Sequence, residues 1–350
     1  MKKYTIYIIL NFLIFNVYAQ NIDFSQFKIN KNEIKGKLIL INETHNISTN
    51  NLAYHLTIKE LTKEFTNSDT LNIFIEQPCS LATMFNKILQ NAEDTLRKTK
   101  WNGFPQNKLP TNAWLDSLRS LKKNIRFIGV DFEYDEGKRI KSYKYFFVTL
   151  RDEFAKASLP TKELGDYIQK INDKSIRDKD IEELKVFLKS IALKTKSIAD
   201  ALFILEAKHQ VFGYRDKNNY ERFKQIIERS IDVRNQHNLL IYGGNHINPS
   251  RPNSLLKNLF TLFDKDKESP FFGNTLLIAN YYFDCISYGF YWSKEPSKYN
   301  GGLYGGKGDE MIMTELKKKD WKSGLFVIKN DLTLPLQSFN KILYFVVHQE

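Results

Sequence analysis

Four short apolar segments of this chain are each followed, within a few positions, by an acidic side chain or a histidine. Their length and their content of branched and aromatic residues are typical of buried strands, and they span residues 37–41, 71–75, 125–130 and 239–242. The polar residues that follow them are Glu43, His45, Glu76, Asp131 and His246. Because ligands and catalytic groups collect outside the carboxyl ends of the strands in an open parallel α/β sheet, these side chains are predicted to form one site.

Helical patterns separate the first three segments. They span residues 50–65, 80–96 and 111–121, with an apolar stripe in the first at Leu52, Leu56, Leu61 and Phe65. Alternating strands and helices indicate a parallel sheet, and later strands are predicted over residues 274–281, 325–329 and 342–347. The predicted fold class is α/β, with a central, mainly parallel sheet flanked by helices.

A long stretch between the third and fourth strands breaks this alternation. Residues 137–235 are rich in Lys, Glu, Ile and Leu and contain few Gly or Pro, which indicates consecutive helices. We interpret them as a helical insertion near the carboxyl edge of the sheet, where it could shape a pocket; the alternative is helices packed on the sheet faces. The predicted organisation is a signal peptide (1–19), two halves of an α/β domain (20–136 and 236–350) and the insertion (137–235).

The amino terminus has the pattern of an export signal. Lys2 and Lys3 precede an apolar stretch over residues 4–17, and Val17-Tyr18-Ala19 resembles a signal peptidase site. An uncleaved membrane anchor is the alternative, but the apolar run is short and interrupted. No later run approaches the roughly 20 apolar residues of a spanning helix. We therefore expect an exported protein, periplasmic or secreted, with no stable membrane span after cleavage.

Charge and cysteine content narrow the possible partners. The net charge is +12, but the lysines are interspersed with acidic residues and no nucleic-acid-binding motif is present, so a nucleic-acid partner is not predicted. An exported chain permits a disulfide between Cys79 and Cys285, although we favour two structural thiols. Neither cysteine has a histidine nearby in sequence, which disfavours a cysteine nucleophile.

Two familiar catalytic motifs are absent or incomplete. The segment Gly301-Gly302-Leu303-Tyr304-Gly305-Gly306-Lys307-Gly308 resembles a phosphate-binding loop, but Gly308 stands where a Ser or Thr would hold magnesium. There is no Gly-x-Ser-x-Gly elbow, so a serine hydrolase of the usual α/β type is disfavoured.

The residues after the strands suit water activation. Glu43 and His45 could bind a divalent metal such as zinc, or the imidazole could act as a general base without one. Glu76 and Asp131 end apolar strands, where a carboxylate needs a partner. Glu76 could instead be a helix cap or part of a structural ion pair, and Asp131 could be a cap or a turn residue. His246 follows two glycines, which let the backbone approach a ligand closely.

Two further residues could support the site. Asn245 precedes His246 in the same turn. Arg215 lies in the predicted helical insertion, where it could hold a substrate carboxylate or orient Glu76; otherwise Arg215 and Asp216 are an ordinary surface pair.

The order of these motifs resembles a known superfamily. The motifs are Asn-Glu-Thr-His (42–45), Ile-Glu-Gln (75–77), Gly-Val-Asp (129–131), Arg-Asp (215–216) and Gly-Asn-His (244–246). They are similar to those of a group that contains erythromycin esterase-like hydrolases, Tiki-type metalloproteases and ChaN-type haem-binding proteins. The resemblance implies an α/β fold with a cleft lined by Glu43, His45, Glu76 and His246, and a base at His45 or His246.

The chain departs from the esterase pattern. The esterases usually show Gly-Glu-x-x-His-Gly, whereas here the spacing is Glu-x-His, Asn42 replaces the leading Gly and Asn46 follows the histidine. The shorter spacing is closer to the ChaN and Tiki proteins. This difference argues against a macrolide substrate.

We therefore expect an exported hydrolase that cleaves an ester or peptide bond in a small-molecule or peptide substrate. Water would be activated by His45 or His246, assisted by Glu43 and Glu76, with or without zinc or manganese on Glu43, His45 and His246. Asp131 would orient these groups. The rival is an envelope haem- or metal-binding protein, with His45, His55 and the aromatic segment 288–292 around the ligand. A catalytically inactive interaction domain is a third possibility.

Overall fold

The computed structural model describes residues 24–26, 30–44, 50–90, 111–131, 133, 140–206, 215–230, 232–247, 258–287, 297–302, 314, 324–328 and 343–349. The predicted signal peptide (1–19), His45 and the aromatic segment 288–292 lie outside these residues, as does most of the glycine-rich segment 301–308.

The described strands form a single mixed sheet. They are β1 (Phe24–Gln26), β2 (Leu38–Glu43), β3 (Thr70–Pro78), β4 (Asn124–Asp131), β5 (His237–Gly243), β6 (Thr275–Ser287), β7 (Ser297–Gly301), β8 (Gly324–Ile328) and β9 (Leu343–Gln349). Their order is β1-β8-β9-β6-β2-β5-β3-β4, and β7 also pairs with β6. The strands from β9 to β4 run parallel, whereas β1, β7 and β8 pair antiparallel with their neighbours. The predicted mainly parallel sheet is confirmed.

Helices connect the parallel strands. They are α1 (Lys31–Ile34), α2 (Asn50–Leu61), α3 (Cys79–Gln90), α4 (Thr111–Ser120), α5 (Ile140–Lys156), α6 (Lys162–Asn172), α7 (Asp178–Ser190), α8 (Lys196–Glu206), α9 (Arg215–Ser230), α10 (Gly244–Ile247) and α11 (Leu259–Lys265). In the described part of the chain, no helix combines the length and apolar character needed to cross a membrane.

Both faces of the sheet are buried, which explains the continuous apolar strands. On the front face, Ile39 and Ile41 pack with Ile75 beneath α2, α3 and α4. On the back face, Leu38 and Leu40 pack beneath α9 and α11. Successive strand residues point to opposite faces, so a strand covered on both sides is apolar throughout. Helices on both faces of a mainly parallel sheet confirm the predicted α/β class.

The helices between β4 and β5 fall into two groups. Helices α5 to α8 share an apolar cluster of their own, and Cys79, directly after the carboxyl end of β3, packs against it. Helix α9 instead covers the back face, where the Phe223 ring centroid lies 4.3 Å from that of Phe74. The helical cluster therefore adjoins the carboxyl edge of the sheet, and α9 extends along the sheet itself.

The apolar stripe predicted for residues 50–65 is correct in part, since Leu61 and Phe65 are buried in the front-face cluster. Helix α2 ends at Leu61, and Phe65 lies beyond it. Among residues 53–61 of α2, the buried side chains are Ala53, Tyr54, Thr57, Ile58 and Leu61, whereas Leu56 is only partly buried. Apolar residues lie on several sides of this helix, so periodicity alone did not identify the face that packs on the sheet.

Candidate functional site

The carboxyl ends of β2, β5 and β3 meet at one edge of the sheet. Glu43 is the last residue of β2 and is paired with Gly243 of β5. The pairing of β3 with β5 extends to Ile75, so Glu76 follows at the same edge. The Gly243 amide donates a 2.8 Å hydrogen bond to Oε2 of Glu76. Glu43 and Glu76 therefore flank the end of β5, the strand between β2 and β3.

His246 enters this edge from β5 itself. The one-turn helix α10 starts at Gly244 and carries His246. The imidazole meets the Tyr242 ring edge-on, with centroids 5.5 Å apart and an interplanar angle of 87°. Glu43, Glu76 and His246 are each partly exposed, although the sheet beneath them is buried. The structure thus brings these three predicted site residues together, within reach of solvent.

Two tyrosines are buried near Glu43 on the front face. Glu43 comes two residues after Ile41, so alternation directs it to the face that α2 covers. There Tyr54 of α2 and Tyr282 of β6 are buried. Burial raises the pKa of Tyr54, and the charges of Glu43 and Glu76 raise it further. Burial likewise raises the pKa of Tyr282, and Glu43 adds to the effect. Both phenols are therefore neutral proton donors at physiological pH.

Asp131 lies apart from this group. It ends β4, the outermost strand of the parallel run, is paired with Pro78 and is fully buried. Its neighbourhood includes Glu133, whose two carboxylate oxygens accept hydrogen bonds from the amide (2.8 Å) and the hydroxyl (2.7 Å) of Ser80. Glu133 therefore caps the first turn of α3, where a carboxylate is favoured by the helix dipole.

Burial dominates the ionisation of Glu133. It raises the pKa of this carboxyl, the hydrogen bonds from Ser80 and the charge of Arg222 on α9 oppose the rise, and the charge of Asp131 adds to it. Arg222 is itself 5% exposed, and its guanidinium stacks on Phe203. Asp131, Glu133 and Arg222 thus form a buried charged group beside the partly exposed edge, and the orienting role predicted for Asp131 stays a prediction.

Replacing Glu133 by glutamine should change how stability depends on pH. A carboxyl whose folded-state pKa is raised adds most stability while protonated, at low pH, and this contribution is lost as pH rises through the folded pKa. The thermal midpoint of wild type relative to Glu133→Gln should therefore fall as the pH rises above about 4, the ordinary pKa of a glutamate. Unfolding followed by circular dichroism measures this difference. A pH-independent difference, equal to that of the exposed control Glu183→Gln, would contradict the shifted pKa.

Three of the predicted site residues are described only in part or not at all. His45 lies outside the described residues, and only the backbone is described for Arg215 and Asn245. Arg215 begins α9, one turn before Asn219, which donates a hydrogen bond to the hydroxyl of Tyr242 near the end of β5. The start of α9 is therefore near the carboxyl edge, as a supporting role for Arg215 requires.

Only some of the residues predicted to bind a metal or haem lie within the described part of the chain. Among these residues, no group of three His, Cys, Asp or Glu side chains is arranged to hold a metal ion. Since His45 is not among them, the predicted zinc or manganese site stays a prediction. His55 lies on α2. Burial lowers the pKa of its imidazole, and the charge of Lys59 lowers it further. The rest of the predicted haem site, His45 and segment 288–292, lies outside the described residues.

The two cysteines are not bonded to each other. Cys79 begins α3 and Cys285 lies in β6, and neither forms a disulfide, as expected for structural thiols. Burial raises the pKa of Cys79 far above its usual range, and Asp200 and Glu133 raise it further. Because the thiolate is the nucleophilic form, Cys79 is unsuited to covalent catalysis at neutral pH.

Sequence reasoning missed the buried polar groups around the edge. These are Tyr54, Tyr282, Glu133 and Arg222. Glu133 follows the third predicted strand by three positions and fits the pattern that identified Glu43 and Glu76, but only Asp131 was selected there. Tyr54, Tyr282 and Arg222 are neither acidic nor histidine, so that pattern did not include them. A buried polar residue among the apolar positions of α2 was the available signal for Tyr54.

Similar solved structures share the overall fold. One is a mutant of the erythromycin esterase EreC in its open conformation (TM-score 0.53, 10% identity, 91% of this chain and 92% of that chain). The chain has an erythromycin esterase-like fold. A Bacillus cereus protein (0.56, 15%, 91% and 90%) and a succinoglycan biosynthesis protein (0.51, 12%, 91% and 90%) are also similar. No protein-family model matches the sequence, and no curated protein sequence matches it.

These identities support a common fold and nothing finer. The erythromycin esterase part of the predicted resemblance is therefore confirmed for the fold. The likeness to Tiki and ChaN proteins stays a prediction based on the Glu-x-His spacing.

Proposed function

We propose that this erythromycin esterase-like chain is a hydrolase of ester or peptide bonds. The observation that carries the proposal is the meeting of Glu43, Glu76 and His246 at the ends of three adjacent strands, with Glu76 fixed by the Gly243 amide. Two carboxylates and an imidazole at one partly exposed edge are suited to activating water. The esterase fold supports this reading only by analogy.

The reaction begins with the attack of water on the acyl carbon. The water oxygen bonds to this carbon, its proton passes to the imidazole of His246 or His45, and the carbonyl π electrons move onto the acyl oxygen. Glu43 and Glu76 stabilise the imidazolium that forms. When the tetrahedral intermediate collapses, the bond to the leaving group breaks and the imidazolium returns the proton to the leaving oxygen or nitrogen.

Export belongs to the same proposal. Lys2 and Lys3 followed by the apolar residues 4–17 would direct the chain out of the cytoplasm, and cleavage after Ala19 would release it to the periplasm or medium. Its substrates would then be small molecules or peptides found there.

Hydrolysis of simple probes tests the proposal. The full-length chain should hydrolyse p-nitrophenyl acetate or a casein-derived peptide, and His246→Ala or His45→Ala should lower the rate by roughly 10²–10⁴-fold. Elemental mass spectrometry on chelator-free protein would show whether zinc or manganese is bound and is lost in His246→Ala. If both histidine variants hydrolyse the probe as fast as wild type, the mechanism is wrong.

A further inference from the structure

The hydroxyl of Tyr54 has no hydrogen-bond partner within the described parts of the chain. The side chain is 5% exposed, and its ring packs against Trp114 with centroids 6.0 Å apart. Buried polar atoms without partners are rare in native proteins, because burial removes their bonds to water without replacing them. The Tyr54 hydroxyl is therefore placed to bond something other than these protein groups.

The charges near Tyr54 limit which chemical group can form a hydrogen bond with its hydroxyl. Glu43, Tyr282 and Glu76 all act electrostatically on the hydroxyl. An anionic oxygen beside the hydroxyl would be repelled by the two carboxylates. Tyr54 is a neutral phenol and offers a proton, so a cation would not satisfy it. A neutral group that accepts one hydrogen bond and donates others fits, and water is the smallest such group.

We propose that the hydroxyl of Tyr54, together with the carboxylates of Glu43 and Glu76, binds the water molecule that attacks the substrate. This water site deepens the proposed hydrolase and rests on that function. Tyr54 lies on α2, within the front-face cluster that also contains Ile41 and Ile75. Alternation directs Glu43, two residues after Ile41, to this face. The Glu76 carboxylate reaches the end of β5, where it accepts a hydrogen bond from Gly243, the residue paired with Glu43.

The arrangement orients the water for attack. Water has two hydrogens and two lone pairs. One lone pair accepts the Tyr54 proton as a hydrogen bond, one hydrogen is donated to a carboxylate, and the other to the imidazole that takes the proton. The remaining lone pair forms the bond to the acyl carbon. The phenol keeps its own proton throughout, so Tyr54 holds the nucleophile and transfers nothing.

Tyr54→Phe removes the hydroxyl and keeps the ring. Tyr143→Phe is the matched control, since its hydroxyl is also buried but pairs with that of Tyr167 at 2.6 Å in the cluster of α5 to α8. With p-nitrophenyl acetate, Tyr54→Phe should lower kcat by roughly 10²-fold and leave KM within about twofold, because a mispositioned nucleophile slows chemistry rather than binding. Tyr143→Phe should leave both constants unchanged.

A crystal structure of the wild-type protein gives a second measurement that needs no activity. It should show a water within about 2.7–3.2 Å of Oη of Tyr54 and of one carboxylate. If no water is bound there, the inference is wrong whatever the kinetics show. If the water is present but Tyr54→Phe retains the wild-type kcat, the water is not the nucleophile and the inference is equally wrong. If wild type hydrolyses no probe, the proposed function fails, and the crystal structure alone decides whether Tyr54 binds water.

Discussion

Glu76→Gln should remove most of the hydrolytic activity and leave the fold intact. The amide oxygen of glutamine can still accept the hydrogen bond from Gly243, so the geometry at the end of β3 is retained. The negative charge beside the imidazole is lost, and the amide NH₂ offers hydrogens where the water needs an acceptor. We expect kcat to fall by roughly 10²–10⁴-fold, measured with a p-nitrophenyl ester.

Glu133→Gln is the matched control for this substitution. Glu133 also lies near the carboxyl edge, but it is buried and its oxygens are bonded to Ser80 at the start of α3. The same substitution there should alter kcat by less than about threefold. If Glu76→Gln were as active as this control, the charge at residue 76 would have no part in the reaction.

Gly129→Ala should destabilise the protein and reduce its activity together. The pairing of β3 with β4 is regular up to Ile75 and Gly129, and then shifts so that Pro78 faces Asp131. At this bulge a Cβ on Gly129 would lie 2.3 Å from the carbonyl oxygen of Pro78, and this backbone atom cannot move alone. We expect a loss of about 1–3 kcal/mol in the free energy of unfolding, measured in urea. Because Glu76 stands at the start of the bulge, kcat should fall as well.

Gly165→Ala adds the same Cβ atom but should stabilise the protein. Gly165 lies within α6, and a Cβ there would meet no heavy atom within 4 Å. Since alanine is the better helix residue, this variant should gain about 0.5–1 kcal/mol and keep full activity. A Gly129→Ala protein as stable as wild type would show that the bulge accommodates a side chain and would contradict the explanation for the glycine.

The central strands were predictable because burial on both faces makes them apolar throughout. The ends of these strands were less predictable. Strand β3 continues through the polar Glu76 and Gln77 to Pro78, because hydrogen bonding to a neighbouring strand does not require apolar residues. The short strand β1 and the antiparallel β7 had no such pattern either. In these places the pairing partner, rather than local sequence, determines the structure.

The composition of the candidate site was predictable only in part. Glu43 and Glu76 were identified because both follow buried strands. Asp131 satisfies the same rule, yet it lies at the end of β4, which is separated from β5 by β3. Adjacent strands are about 4.8 Å apart, so strand order decides which carboxyl ends are neighbours, and a single sequence does not reveal that order. Tyr54 was missed for a different reason, since the stripe predicted for α2 did not include its position.

The position of β5 also affects when the edge is completed during synthesis. The chain makes β2, β3 and β4 first, then passes through α5 to α9 before it reaches β5, which fills the space between β2 and β3. Until β5 is in place, β2 and β3 present unpaired edges at that space, and exposed edges of apolar strands are prone to association. Glu76 also lacks its Gly243 partner until then. A nascent or truncated chain that ends before residue 243 therefore has no assembled edge. Premature termination of translation before that point would yield an inactive, aggregation-prone fragment instead of a partially active one.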